Sequence, residues 1–303
     1  MDDEIGHFLD FLSIEKGSSS NTIAAYRNDL EQLRTYVLHL STNGDRPFWS
    51  QVDRDVLLDF ILEMRRKRYA DATVARKVAA VKSFFSFLQA EGILRKNPAE
   101  SLSSPRVGKS LPKPLSVREI DELLEQPARR SSPEARRDRA MLETIYATGM
   151  RVSELVSLDM KDVHPSRPGA HVRCMGKGSK ERTLPLHDQA LEALEAYLED
   201  GRSHLVRDRR VTAVFVNRRG DRLTRQGFWL ILKGYAKQAG ITTPVTPHTL
   251  RHSFATHMLT GGAPLRNVQE LLGHANMSTT QVYTKIVTDY VRQVYESAHP
   301  RAR

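Results

Sequence analysis

The sequence predicts a mainly α protein of two domains, with a small β-sheet in the second. Three observations carry that expectation. Apolar residues recur at steps of three and four through most of the chain. Short alternating runs are confined to one stretch, from about Asp162 to Leu186. A segment rich in Pro, Ser and basic residues, Ser103 to Pro114, has no apolar period and separates two groups of helices. At 303 residues the chain can give each group its own core. The expected division is 1–105, a linker at 106–114, and 115–303.

In the first domain, residues 3–14 carry Ile5, Phe8, Leu9 and Leu12 at helical spacing, and residues 20–40 carry Ile23, Tyr26, Leu30, Leu33 and Val37. Ser and Gly between them mark a turn. Asp53 is expected to cap a third helix bearing Val56, Leu57, Phe60, Ile61 and Met64. Asp71 is expected to cap a fourth, with Val74, Val78, Val81, Phe85 and Leu88, that stops at Gly92. Four amphipathic helices on short connections make a bundle. Off the apolar stripes lie Asn21, Thr22 and Arg27 on the second helix and Arg76, Lys77 and Lys82 on the fourth. A charged helix face, taken alone, is only solvated.

The second domain opens with a helix from Ser116 and a longer one from Pro133 to Thr148, ended by Gly149. Arg151 starts a short helix whose Val152, Leu155 and Val156 should face inward. In the β stretch, Gly176-Lys-Gly-Ser-Lys180 reads as a hairpin turn and puts Lys177 at its tip. A lysine there is, by itself, a solubilising charge. Helices from Asp188 and Thr224 flank a strand-like Val214-Phe-Val216.

Thr246 to Tyr283 is the densest stretch. Pro247 suits a first helical turn, and Leu250, Phe254, Met258 and Gly261 form an apolar stripe. His248 and Arg251 fall about 60° apart on another face of that helix. Gly261-Gly262 should end it in left-handed conformations. A second run, Val268, Leu271 and Leu272, closes at Gly273 and leaves His274 just past a helix end. Ser278-Thr-Thr-Gln281 forms a capping box that places Tyr283 in the first turns of a new helix. Beyond it Val287, Tyr290, Val291 and Val294 recur at helical spacing with no partner left in their own domain. That face is expected to dock on a neighbouring copy, the alternative being that it folds back.

A net charge of +10 and a pI near 9.8 favour a polyanionic partner. With no membrane segment in the sequence, nucleic acid is favoured over lipid. One cysteine, Cys174, excludes an internal disulfide framework, fits a reducing compartment, and sits in a strand-like run where packing is its better role. The acidic N-terminus lacks the basic start and apolar core of a signal peptide, so a cytoplasmic location is expected. A zinc site from His248, His252, His257 and His274 is disfavoured, because His257 falls on the apolar side and no carboxylate joins them. No metal or other cofactor is expected.

Five motifs together resemble the tyrosine recombinase family, in its XerC/XerD branch. They are Ala147-Thr-Gly-Met-Arg151-Val-Ser-Glu-Leu155, Gly176-Lys-Gly-Ser-Lys-Glu-Arg182, His248-Thr-Leu-Arg251, Leu271-Leu-Gly-His274 and Ser278-Thr-Thr-Gln-Val-Tyr283. The resemblance spans nearly the whole chain, including the closing His299-Pro-Arg-Ala-Arg303. It implies an N-terminal helical core-binding domain that lays two helices against the DNA major groove, which raises Asn21, Thr22, Arg27, Arg76, Lys77 and Lys82 as DNA contacts. It also implies a C-terminal catalytic domain, and a basic linker that could let the two domains close around a duplex.

The activity implied is site-specific cutting and rejoining of DNA through a 3′-phosphotyrosyl intermediate. Tyr283 would be the nucleophile, Arg151 and Arg251 the phosphate clamp, and His274 a further donor. Lys177 would protonate the leaving 5′-oxygen, His248 would accept the phenol proton, and Glu154 would orient Arg151. Such an ester keeps the energy of the bond it replaces, so rejoining needs no ATP, in keeping with the lack of a Walker-type glycine loop. The implied partners are double-stranded DNA bearing a recombination site, a homo- or hetero-tetramer with a paralogous recombinase, and a septal DNA translocase, with no membrane. The implied role is chromosome dimer resolution. The alternatives are a phage or transposon integrase, a relaxing enzyme of topoisomerase IB type, and a non-catalytic DNA clamp. Six intact motif positions argue against the clamp.

Overall fold

The computed structural model describes residues 1–40, 48–105, 113–175, 181–273 and 285–302, with side chains in the last stretch from 290 onward. The chain forms two compact units, Met1–Ser110 and Leu111–Arg303. The fold is mostly helical, with one three-stranded sheet in the second unit.

In the first unit, α1 (Asp2–Ile14), α2 (Ser20–Leu40), α3 (Arg54–Arg66) and α4 (Asp71–Ala90) enclose a core of Phe8, Leu30, Leu33, Trp49, Phe60, Phe84 and Phe85. Trp49, on a 3₁₀ turn before α3, stacks edge-on to Phe84 and Phe85 and donates through its indole N–H to the Met1 carbonyl at 3.2 Å. Asp53 caps α3, accepting from the Val56 amide at 2.9 Å. Asp71 does not cap α4. Ala70 holds the cap position and Asp71 is the first helical residue, where its charge still complements the helix dipole.

The second unit is built around α6 (Pro133–Thr148), which is buried along most of its length. Ser132 caps it, and Gly149 stops it with a left-handed φ of 60°. Before it, α5 (Val117–Glu125) starts from a capping box between Ser116 and Glu119. After it, α7 (Val152–Ser157) leads to β1 (Val163–His164), β2 (His171–Met175) and β3 (Glu181–Pro185), an antiparallel sheet in sequence order. Its register pairs Cys174 with Arg182 and Met175 with Glu181. Next come α8 (Asp188–Ala196), a π turn, and the single-turn α9 (Arg202–Leu205). The Val214–Val216 segment is fully buried but does not enter the sheet. Beside it, among the described residues, are only the bridge pairs Asp159 with Ala213 and Val216 with Arg222, so its apolar run reflects burial rather than strand pairing. The helices α10 (Arg225–Gln238), α11 (Pro247–Thr260), α12 (Leu265–Leu272) and α13 (Lys285–Ala298) complete the unit.

The end of α13 corrects the expectation of an unpartnered tail. Tyr295 and Ala298 are buried in the unit's own core, and Val291 and Val294 pack against it. Tyr290 stays 54% exposed. The side chain of Val287 lies outside the described residues. The receiving surface is at Gly261, where an added Cβ would stand 2.1 Å from the Ala298 carbonyl oxygen. Gly261 has an ordinary φ of −74°. It is glycine for closeness, and only Gly262 takes a positive φ, 96°.

Just past α13, His299 is 0% exposed, ringed by Tyr146, His187, Phe254 and Tyr295 at centroid distances of 4.9 to 5.8 Å. Arg301 then pairs with Asp121 at 2.6 Å and with buried Glu143 at 2.8 Å. Burial, with the charge of Arg301 added, pulls the His187 imidazole down to about 4; burial, then the neighbouring His187, pulls His299 down to about 3. Both rings are neutral when folded, whereas the unfolded chain binds their protons below about pH 6.5. Stability from this cluster is therefore complete above about pH 6.5 and falls with pH toward about 4. Each ring contributes a slope of up to about 1.4 kcal/mol per pH unit. Thermal melts between pH 7 and 5 should show that loss, and His299→Phe should flatten it by one proton's worth.

Candidate functional site

The turn after α6 delivers Arg151. Gly149 takes the left-handed conformation that reverses the chain, and an added Cβ would lie 2.2 Å from the Phe254 ring of α11. The Gly149 carbonyl also accepts from the Arg251 guanidinium at 2.8 Å. Two faces of this turn are thus seated on α11, and the arginines 151 and 251 are brought to one place by that seating.

Arg151 occupies the cap position of α7, and Glu154 reaches back in the first turn. One Glu154 oxygen accepts from the Arg151 backbone N–H at 2.7 Å and the other from the Arg151 guanidinium at 3.1 Å. Arg182 on β3 donates to both oxygens, at 3.0 and 2.7 Å. Burial pushes the Glu154 carboxyl up, but the Arg182 and Arg151 hydrogen bonds and charges outweigh it and hold it below the usual range. Glu154 is ionised and hydrogen-bonds Arg151 through both its oxygens.

Arg251 also donates to the Leu272 carbonyl, at 2.7 Å, and Arg182 donates to the Leu271 carbonyl at 3.1 Å. Both groups belong to the last turn of α12, whose free carbonyls favour cations. Burial, followed by the charges of Arg151 and Arg182, pulls the Arg251 guanidinium down to about 10. It stays protonated near neutral pH beside two further guanidinium groups that share the Glu154 carboxylate. Such a cluster is incomplete without an anion, and planar forks suit a phosphate.

His248 is exposed in the first turn of α11, one helical turn before Arg251. Lys177, His274 and Tyr283 lie outside the described residues. Lys177 belongs to the stretch between Met175 and Glu181, which are paired across the hairpin. His274 directly follows Gly273, whose φ of 66° ends α12. Cys174 is buried, and burial pushes its thiol up to about 11, so it packs rather than reacts.

The first unit divides the six expected DNA contacts. Asn21, Thr22 and Arg27 are exposed on α2. Lys77 is not on a free face, and this corrects the sequence reading. It is 1% exposed, with Nζ 2.8 Å from an oxygen of fully buried Asp29 and 2.7 Å from the Gln32 side-chain oxygen. Arg76 is half-buried and pairs with the other Asp29 oxygen and with the Ala25 carbonyl. Lys82 donates to the Glu100 and Leu102 carbonyls, each at 3.1 Å. The fourth helix therefore uses these cations to tie the bundle together. Sequence reading missed Asp29, whose place within α2's buried face was the available signal, and it gave Arg182 no role.

The model of the phage integrase family matches residues 113–289, and that of the phage integrase N-terminal SAM-like domain matches residues 5–92. A protein named tyrosine recombinase XerC from Herpetosiphon aurantiacus is 53% identical over 289 residues, 95% of this chain and 92% of its own. One named tyrosine recombinase XerD from Halalkalibacterium halodurans is 44% identical over 302 residues, 100% of this chain and 99% of its own. Among solved structures, a XerH site-specific recombinase bound to a palindromic difH substrate superposes with a TM-score of 0.67 at 24% identity, covering 91% of this chain and 78% of that one. A lambda integrase dimer bound to a COC′ core site gives 0.66 at 16%, covering 96% and 77%. These two likenesses speak for the fold alone.

The Asp29 network separates stability from binding. Asp29→Ala should strand the Lys77 ammonium in the core and destabilise the first unit by about 3–5 kcal/mol. Arg27→Ala should leave urea denaturation unchanged while weakening DNA binding and lowering its salt slope by about one.

Proposed function

We propose how the site works in this chain, which belongs to the phage integrase family and is a site-specific DNA recombinase of the Xer type, cleaving and rejoining DNA. Arg151 and Arg251 bind the nonbridging oxygens of the scissile phosphate, and His274 adds a further hydrogen bond. The observation that supports this is that Arg151 and Arg182 both pair with Glu154 while nearby Arg251, held by the Gly149 and Leu272 carbonyls, has no carboxylate partner among the described residues. A bound phosphate supplies the missing negative charge, and it supplies more as the transition state develops.

Tyr283 attacks the phosphorus through its phenol oxygen. The new P–O bond forms as the bond to the 5′-oxygen breaks, leaving a 3′-phosphotyrosyl ester. His248 accepts the phenol proton, and Lys177 gives a proton to the departing 5′-oxygen. Attack by a 5′-hydroxyl from another strand reverses these steps with no external energy source.

Asn21, Thr22 and Arg27 on α2, with the part-exposed Arg76 and Lys82 on α4, meet the duplex from the first unit, while Lys77 acts inside that unit. The chain works on double-stranded DNA with a specific site, as part of a homo- or hetero-tetramer with a paralogous recombinase, in the cytoplasm. Its role is chromosome dimer resolution, with a septal DNA translocase as a further partner. No helix among the described residues is long and apolar enough to cross a membrane.

Capture of covalent adducts tests the reading. Protein incubated with genomic DNA fragments and then denatured should retain DNA on Tyr283, and sequencing that DNA gives the target site. Tyr283→Phe should abolish the adduct with site binding nearly unchanged, because only one oxygen is lost. A protein that binds DNA but never forms an adduct would be a clamp and not a recombinase. A substrate with a 5′-bridging sulfur, whose thiolate leaves unaided, should rescue Lys177→Ala and not Arg251→Ala. Equal failure of both would remove Lys177 as the acid.

A further inference from the structure

Arg182 links the parts of this site without itself taking part in the cleavage chemistry. Arg182 lies on β3, immediately after the stretch that contains Lys177. Its side chain is 14% exposed, and three of its N–H groups are committed, two to the Glu154 oxygens and one to the Leu271 carbonyl. Its guanidinium also packs against the turn that precedes His274. An added Cβ at Gly273 would come within 3.0 Å of an Arg182 terminal nitrogen. The group is walled in by protein and is poorly placed to be a phosphate ligand itself.

Consider the charges without it. Glu154 is buried, ionised and one helical turn from Arg151, whose guanidinium reaches only one of its oxygens, at 3.1 Å. A buried carboxylate takes the strongest pairing within reach, and for arginine that is the two-pronged fork. With Arg182 removed, Arg151 is the cation left to close on both oxygens. It would then turn its donors away from the solvent side on which 40% of its side chain is now exposed. We propose that Arg182 is a positioning residue which, by occupying both oxygens of Glu154, keeps the Arg151 fork free for the scissile phosphate. The inference rests on the reading of Arg151 as a phosphate ligand. It makes Glu154 a shared anchor, useful to catalysis only while a second arginine saturates it.

A cycle of four proteins tests this: the parent, Arg182→Met, Glu154→Gln and the double variant, compared by single-turnover cleavage of a nicked target at saturating protein. Arg182→Met should slow cleavage by about 100-fold, with DNA affinity close to the parent. In the Glu154→Gln background the same change should cost less than about threefold, since the neutral amide has no hold on Arg151. An equal loss in both backgrounds would mean that Arg182 acts independently of Glu154, and the proposal would fall. If Glu154→Gln alone is too slow to read, Glu154→Ala takes its place in the cycle, where Arg182→Met should again cost less than about threefold; an equal loss there overturns the idea. Should Arg182→Met fail to fold, Arg182→Lys takes its place in every background, as an ammonium cannot span both oxygens. A parent protein that does not cleave at all counts instead against the recombinase mechanism, and Arg251→Ala should be inactive in either background.

Discussion

The contact between the Gly149 turn and α11 is the constraint on which the site depends. A side chain at Gly149 would need a strained left-handed backbone and would also occupy the space of the Phe254 ring. Because the turn lies flat on α11, its carbonyl meets the Arg251 guanidinium one helical turn from Phe254. The chain then runs straight into Arg151 at the start of α7. Residues far apart in sequence thus share one site because a helix stop and a helix face were made to fit. Arg251 is placed by backbone carbonyls, which hardly move, and it holds its geometry before any ligand arrives. That is the preorganisation on which electrostatic catalysis draws.

This arrangement is costly by itself. Three arginines near one carboxylate repel one another, and burial adds to the cost, as the lowered Arg251 value records. Part of the cost is offset at the end of α12. The Leu271 and Leu272 carbonyls, left without helical partners, accept from Arg182 and Arg251. The same donors that await an anion also cap a helix. Arg251 in particular serves site and scaffold at once, through the Gly149 and Leu272 carbonyls.

Much of this was legible in the sequence because local rules sufficed. Ser116, Ser132, Thr224 and Thr246 cap their helices through their own side chains, and Gly149 and Gly273 end theirs in left-handed conformations. The resemblance around Arg151 implied Glu154 as its partner, and a hydrogen bond between the two is found. What sequence could not show depended on distant partners. Lys77 looks like a surface lysine until Asp29, from a different helix, takes its charge into the core. Val214–Val216 has a strand's composition, yet it is buried with no neighbouring strand to extend among the described residues. The partner of α13 was hidden for the same reason. Its buried residues, Tyr295 and Ala298, lie just beyond the apolar run that periodicity picked out, and its receptor is a glycine that presents no side chain to read.

That receptor is one of two points at which the described chain is anchored around α12 and α13. On one side Gly273 rests against Arg182 and follows the two carbonyls held by arginines. On the other, α13 leads to Ala298 on Gly261, His299 in its ring cage, and Arg301 on Glu143 and Asp121. The second anchor is polar and partly charged, unlike a plain apolar knob. Glu143 is 1% exposed, and burial raises its carboxyl despite the Arg301 charge beside it. A buried pair of this kind adds little net stability, but it penalises any arrangement that leaves Glu143 without its arginine. The tail is thus specified by what its absence would cost: an unpaired acid, and the space around His299 left unfilled.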